Sequence, residues 1–160
     1  TLTYTLPPYQ TMSRAVDIMM HTIERYFVAG SSMALTDEMA EALLRVVMAS
    51  ARTLKSKSDD YEARANLMWA SSLSHNGLTG CGHSSRGDWA PHQLEHEMGG
   101  MFDVAHGAGL AAIWGSWARF VYKERADRFA RFGHRVLGLP LTGDDLADAE
   151  RAILISCDWV

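Results

Sequence analysis

The chain has 160 residues, of which 48% are hydrophobic, and this suits one globular domain with a sizeable core. Its formal charge of -4 is spread over both signs, so no attraction to nucleic acid or to anionic lipid is expected. No apolar run approaches the roughly 20 residues of a membrane helix, so we predict a soluble, cytoplasmic protein. The only two cysteines, Cys81 and Cys157, are far apart and support neither a disulfide framework nor a cysteine zinc site.

Apolar residues recur at intervals of three and four along almost the whole chain, which predicts helices. In chain order we expect an extended segment over residues 1–8, a helix over 9–28 ending near Gly30, a second helix from a cap at Thr36 or Asp37 to about 55, and a third from a cap at Asp59 or Asp60. A loop over 76–87 leads to a helix from a cap at Asp88 through 99, which is followed by a break or bend at Gly99 and Gly100. Two further helices over 105–122 and 124–136 and a short helix after Thr142 complete the chain. The predicted fold class is therefore an all-α, multi-helix domain.

Asp17 and His21 lie four residues apart on the first predicted helix, so their side chains project from one face about one turn apart. This spacing suits a pair of metal ligands, although an exposed ion pair is the commoner explanation. The flanking residues Val16, Met19 and Ile23 are apolar, and a carboxylate that faces inward among them needs a partner.

A second group of polar residues follows in the segment from Asp88 to His106. His92 and His96 share a helical face, and His106 lies beyond the paired glycines, where the chain can fold back toward them. Any one histidine is more often a satisfied core or capping residue, but three within fifteen positions favour a metal site. Spacing alone does not decide between His92 and His96 as a ligand.

Three further features are ambiguous. Gly107 and Gly109 permit a helix to pack closely against either a ligand or another helix. The glycine-rich segment 76–87 is expected to be a surface loop rather than the wall of a cleft. The stretch 119–135 holds six basic and two acidic residues, but Phe129 and Phe132 fall at helical spacing, so we interpret it as the solvated face of an amphipathic helix rather than a nucleic-acid surface.

Three segments of the chain resemble the C-terminal, metal-binding domain of the iron-containing (group III) alcohol dehydrogenases, in particular the butanol-dehydrogenase-like, NADPH-using aldehyde reductase branch. They are TLPPYQTMSRAVDIMMHTIERYF, ARANLMWASSLSHNGLTG and DWAPHQLEHEMGGMFDVAHGAGLA. The resemblance implies one metal ion, Fe(II) or Zn(II), with these ligands: Asp17, His21, His92 and His106. It also implies that His96 lies beside the metal, near nicotinamide and substrate, as a catalytic residue.

The chemistry that the resemblance implies is reversible hydride transfer between NAD(P)H and a small primary alcohol or aldehyde, with the metal as a Lewis acid. It further implies that residues 1–160 form a single helical metal-binding domain, that the family's N-terminal nucleotide-binding domain is absent, and that the C-terminal end is truncated. We therefore expect NAD(P) to bind only if a nucleotide-binding domain is supplied, and the isolated chain to be inactive. A homo-oligomer would be one way to cover the shortened core.

Two alternative functions remain open at this point. One is a stand-alone metal-binding or oligomerisation module descended from such an enzyme. The other comes from the pattern His92-x-x-Glu95-His96, which matches inverted zinc proteases in which both histidines bind zinc and the glutamate activates water. That pattern leaves Asp17 and His106 without a role.

Overall fold

Seven α-helices make up most of residues 2–28 and 33–159, which are the residues that the structure, a computed structural model, describes. They are α1 (Pro8–Tyr26), α2 (Ala34–Ser56), α3 (Tyr61–His75), α4 (Ala90–Phe102), α5 (His106–Val121), α6 (Ala126–Arg135) and α7 (Asp145–Trp159). Short 3-10 turns lie at Leu78–Gly80 and Tyr122–Arg125. The described residues contain no strand, so the all-α prediction is confirmed. Gly30 lies outside the described residues.

Helix α1 is central to the packing because it contacts α2, α3 and α5. Its apolar face, which includes Val16, Met19 and Ile23, is buried as the helical periodicity predicts. Just beyond its end, Phe27 stacks on Phe129 of α6, with ring centroids 4.1 Å apart. No described helix combines the length and the apolarity needed to cross a membrane.

The N-terminal segment forms a turn over residues 2–6 and is not extended as predicted. The backbone N–H of Leu6 donates to the carbonyl of Thr3 at 3.2 Å. A lone strand would have no neighbouring strand in this helical domain to accept its backbone hydrogen bonds, and a turn satisfies some of them locally.

The predicted cap of α2 at Thr36 or Asp37 is wrong, because both residues are buried and their side chains form hydrogen bonds with distant residues. The helix begins at Ala34, so both residues lie in its first turn. The Thr36 hydroxyl donates to the carbonyl of Cys81 at 2.7 Å, and Asp37 accepts two hydrogen bonds from Arg128 at 2.6 and 2.8 Å. Burial raises the pKa of Asp37, but its hydrogen bonds and ion pair with Arg128 outweigh burial and hold the pKa below its usual range.

The cap predicted at Asp60 is confirmed, since its carboxylate accepts a hydrogen bond from the backbone of Ala63 at 3.0 Å. Asp88 lies two residues before the start of α4 and accepts from the backbone of Ala90 at 3.1 Å. The backbone N–H of Asp88 donates to the carbonyl of Glu24 at 2.8 Å. This bond ties the loop before α4 to the end of α1.

Gly99 and Gly100 do not break α4, in contrast to the prediction. The helix continues to Phe102, and the N–H of Asp103 still donates to the carbonyl of Gly99 at 3.0 Å. The chain reverses at Asp103, which has a left-handed φ of 54°. This turn leads directly into α5.

The basic stretch 119–135 has the pattern predicted for an amphipathic helix, since its two phenylalanines are buried and basic residues such as Lys123 are exposed. The prediction did not include the pairing of its arginines with acidic residues of α2. Arg128 is buried against Asp37, and Glu41, itself fully buried, accepts from Arg131 at 2.6 Å and from Arg135 at 3.1 Å. These acidic partners lie about 90 positions away in sequence, so no local pattern predicts them.

Glycine is required where α5 meets α1 and α4. A Cβ atom at Gly107 would lie 1.9 Å from the carbonyl oxygen of Ser13, and one at Gly109 would lie 2.7 Å from Cγ of Glu95. Close packing between helices, one of the two interpretations left open, is therefore what these glycines provide. The contact with Ser13 brings His106, the preceding residue, against α1.

We predict that Gly107→Ala destabilises the protein by about 1–3 kcal/mol, because the new methyl group overlaps the rigid backbone of α1. Gly100→Ala is the matched control, since a Cβ there meets nothing within 4 Å and alanine favours a helix over glycine by roughly 1 kcal/mol. Urea denaturation measures both. A Gly107→Ala variant that is as stable as Gly100→Ala, or more stable, would contradict the close approach of α5 to α1.

Candidate metal centre

One oxygen of Asp17 lies at the meeting point of three imidazoles. The distances from Asp17 Oδ1 to the Nε2 atoms are 3.5 Å for His21, 3.7 Å for His92 and 3.4 Å for His106. Two atoms that bind one tetrahedral metal ion at about 2.1 Å lie about 3.4 Å apart. The structure thus brings the three predicted histidines, from α1, α4 and α5, around one oxygen of Asp17 at distances that a shared metal ion would give. The donor atoms of Asp17, His92 and His106 also lie within 4.8 Å of one another.

Three atoms of this cluster are buried without a hydrogen-bond partner among the described residues. They are Oδ1 of Asp17, Nε2 of His92 and Nδ1 of His21. A buried polar atom that lacks a partner costs about 1–3 kcal/mol. A divalent cation would satisfy Oδ1 of Asp17 and Nε2 of His92, so the donor set fits a metal of the kind that nitrogen and carboxylate ligands hold.

Two buried glutamates orient the imidazoles. Nδ1 of His92 makes a short hydrogen bond with Glu24, and Nδ1 of His106 makes one with Glu95. A neutral imidazole carries one proton, so donation from Nδ1 to a carboxylate leaves the lone pair on Nε2, which faces Asp17. Both glutamates are almost fully buried.

Sequence reasoning missed the role of Glu24 and considered Glu95 only as a protease base. The signal for Glu24 is its position seven residues after Asp17, which places it on the same face of α1, among apolar residues. No comparable signal exists for the pairing of Glu95 with His106, because that contact depends on the turn at Asp103 between α4 and α5.

Charge in the cluster is arranged for a cation. Burial raises the pKa of Asp17, but His92 and the other neighbouring histidines outweigh it and hold the pKa below its usual range, so the carboxylate is ionised. Burial lowers the pKa of His92, but Asp17 and Glu24 outweigh it and raise the pKa to about 9, so the metal-free cluster carries a proton on His92 at pH 7 that a metal ion would displace. Burial and the neighbouring His75 lower the pKa of His21 to about 4. His21 is therefore a neutral imidazole at pH 7, the form that binds metals.

A fifth group, His75, also reaches the cluster and was missed from the sequence. It is the last residue of α3, and its Nε2 lies 3.5 Å from Oδ2 of Asp17. Its ring centroid is 3.9 Å from that of His21. The donor atoms form two triads that share Asp17, one with His92 and His106 and one with His21 and His75, and within each triad all atoms lie within 4.8 Å of one another.

His96 lies beside the cluster and is exposed. Its ring is stacked on that of His106 with centroids 5.5 Å apart, and its centroid is 6.2 Å from that of His92. Glu95, between the two α4 histidines in sequence, is buried and bonded to His106. That contact disfavours the zinc-protease alternative, which needs Glu95 to face a water molecule.

Trp89 closes one side of the centre. Its ring contacts those of His21 and His92 edge-on, at centroid distances of 5.5 and 5.4 Å, and the guanidinium of Arg25 lies over it at 4.7 Å. Trp89 and Arg25 also border a cleft of about 590 Å³ together with the loop over residues 76–87. Most of that loop is at least partly exposed, so it is a surface loop as predicted, and it forms one wall of this cleft as well.

A helical domain with a half-buried aspartate among histidines defines a candidate metal-binding protein, and comparison with known proteins identifies its family. The model of the Fe-containing alcohol dehydrogenase family, C-terminal, matches residues 11–156. The chain therefore belongs to the iron-containing alcohol dehydrogenase family, as the resemblance in sequence implied.

Relatives of this chain include characterised reductases and dehydrogenases. NADH-dependent butanol dehydrogenase A of Clostridium acetobutylicum is 39% identical over 154 residues, which cover 96% of this chain and 39% of the relative. NADPH-dependent aldehyde reductase YqhD of Escherichia coli is 33% identical over 144 residues, which cover 89% and 36%. The crystal structure of NADH-dependent butanol dehydrogenase A from Thermotoga maritima superposes with a TM-score of 0.91 at 38% identity, covering 98% of this chain and 38% of that one. The chain spans about two fifths of the length of these relatives.

We predict that Glu95→Gln weakens metal binding about 10- to 100-fold, because the neutral amide orients and polarises His106 less well than the carboxylate does. Glu97→Gln, the same change at an exposed position two residues further along α4, is the control and is expected to bind like the wild type. Competition with a chromophoric chelator measures the affinity. Wild-type affinity in Glu95→Gln would show that the buried carboxylate does not support the centre.

Proposed function

We propose that this chain is the metal-binding part of an NAD(P)H-dependent alcohol dehydrogenase or aldehyde reductase, and that one Fe(II) or Zn(II) ion is held by Asp17, His21, His92 and His106. The observation that supports this most strongly is the buried, unpartnered Oδ1 of Asp17 with three imidazole Nε2 atoms 3.4–3.7 Å away. Membership of the iron-containing family and the named activities of the relatives support the substrate class.

A bound Fe(II) or Zn(II) ion would supply Lewis-acid chemistry by polarising the oxygen of a small alcohol or aldehyde. Two glutamates of this chain hold the metal ligands in position for this role. Glu24 and Glu95 fix the rings of His92 and His106 before any ligand arrives, so little reorganisation is needed.

The substrate approaches, in this proposal, from the side of His96 and His106. His106 has a side chain that is 40% exposed, whereas His92 is 7% exposed and Trp89 covers the opposite side. The exposed imidazole of His96 would pass a proton between the substrate hydroxyl and solvent, since one ring nitrogen of an imidazole can accept a proton while the other donates one. We therefore assign His96 the catalytic proton transfer.

The hydride partner in this proposal is NAD(P)H presented by a separate nucleotide-binding domain. The relatives, which are named as NADH- or NADPH-dependent enzymes, are matched over only 39% and 36% of their length. We propose that residues 1–160 act as one metal-binding domain and that turnover requires the nucleotide-binding domain as well.

The proposal predicts a tightly bound metal ion that survives gel filtration of the untagged protein. Elemental analysis of the wild type should give one equivalent of iron or zinc, and both Asp17→Ala and His92→Ala should lose it, because each removes a donor from the centre of the cluster. His96→Ala, which removes a neighbouring histidine of the same helix, should keep it. A metal content that Asp17→Ala and His92→Ala leave unchanged would overturn the assignment of the ligands.

A further inference from the structure

The donor atoms around Asp17 are more numerous than one tetrahedral ion needs. One oxygen of its carboxylate, Oδ1, faces His92 and His106 and lies 3.5 Å from Nε2 of His21, and the other, Oδ2, lies 3.5 Å from Nε2 of His75. His21 belongs to the same triad as His75. A carboxylate with its two oxygens directed at different sets of imidazoles has the arrangement that bridges two metal ions, which lie about 3.5–4 Å apart in such sites.

His75 is oriented as a ligand. Its Nδ1 lies 2.8 Å from the carbonyl oxygen of Ser71, which can only accept a hydrogen bond, so Nδ1 carries a proton. In the neutral ring Nε2 then carries the lone pair, and it faces the ionised carboxylate of Asp17. Two electron-rich atoms at this distance require a positive charge between them, either a proton on His75 or a metal cation.

The charges around this pair of atoms favour a divalent metal ion over a proton. Three carboxylates, those of Asp17, Glu24 and Glu95, lie in or directly behind the cluster. The guanidinium of Arg25 donates to the carbonyls of His21 and Ser74 and lies over the ring of Trp89, so its hydrogen bonds go to the backbone and not to these carboxylates, although its charge helps to lower the pKa of His21. The side chain of His75 is 40% exposed, so an ion from solvent can reach this side of the cluster.

We propose that the cluster has a second, outer cation position formed by His75, His21 and Oδ2 of Asp17. It accepts a divalent ion of the type that imidazole prefers, such as Co(II), Ni(II) or Zn(II). Asp17 then bridges the outer ion and the inner one. The outer position binds more weakly, because it is more exposed to water and competes with the inner site for His21, whose single free lone pair can bind only one ion. When both positions are filled, the inner ion keeps Asp17, His92 and His106.

The test is a titration of the metal-free protein with Co(II), followed by visible absorption and by equilibrium dialysis with metal analysis. The wild type is expected to bind two equivalents, one tightly and one at least 10-fold more weakly. His75→Phe keeps an aromatic ring against His21 but has no nitrogen, and it should lose the weaker equivalent only. His75→Ser must give the same result. His134→Phe, the same change at an exposed histidine of α6, should retain both.

His92→Ala separates this inference from the proposed function, since it should lose the tight equivalent and keep the weak one. A single equivalent that His92→Ala abolishes and His75→Phe retains would overturn the outer position and leave the inner site standing. A single equivalent that His75→Phe abolishes and His92→Ala retains would support the outer position and contradict the inner one. Two equivalents that both survive in His75→Phe and His75→Ser would place the second ion elsewhere and overturn the inference.

Discussion

The rest of this structure depends on a negative charge held inside a ring of imidazoles. Asp17 is ionised and sits on the central helix, and three Nε2 atoms from three helices lie within 3.7 Å of one of its oxygens. Such a group of electron-rich atoms is unfavourable in a protein interior unless a positive charge lies among them, either a proton on His92 or a metal ion. The surrounding features of the domain, from its glycines to its buried glutamates, hold these groups in place.

Each support of the centre lies in a different part of the chain. The absence of a side chain at Gly107 allows α5 to reach the backbone of α1, and this contact positions His106. Glu24 holds His92, and the N–H of Asp88 ties the loop before α4 to the same turn of α1. Preorganised ligands of this kind reduce the cost of binding a metal, which is why second-layer carboxylates are expected to affect affinity even though they do not touch the ion.

Much of the fold and of the candidate site follows from local patterns in the sequence. Helical periodicity gives the seven helices to within a few residues, and the spacing of Asp17 and His21 places them on one face. The family resemblance gave the choice of His92 over His96 as a ligand, which stays a prediction.

The features that sequence reasoning missed are contacts between distant segments. Arg128 forms an ion pair with Asp37, 91 positions away in sequence, and His75 at the end of α3 contacts Asp17 of α1. No local sequence pattern predicts either contact.

The central claim is that one divalent ion sits among the side chains of Asp17, His21, His92 and His106. The most direct measurement is a crystal structure of the protein grown with Zn(II) or Co(II), with anomalous diffraction recorded at the absorption edge of the metal. The account predicts a strong anomalous peak about 2.0–2.2 Å from the Asp17 carboxylate and from the Nε2 atoms of the three histidines. A fully loaded crystal whose peak lies between His92 and His96, or away from Asp17 altogether, would contradict it.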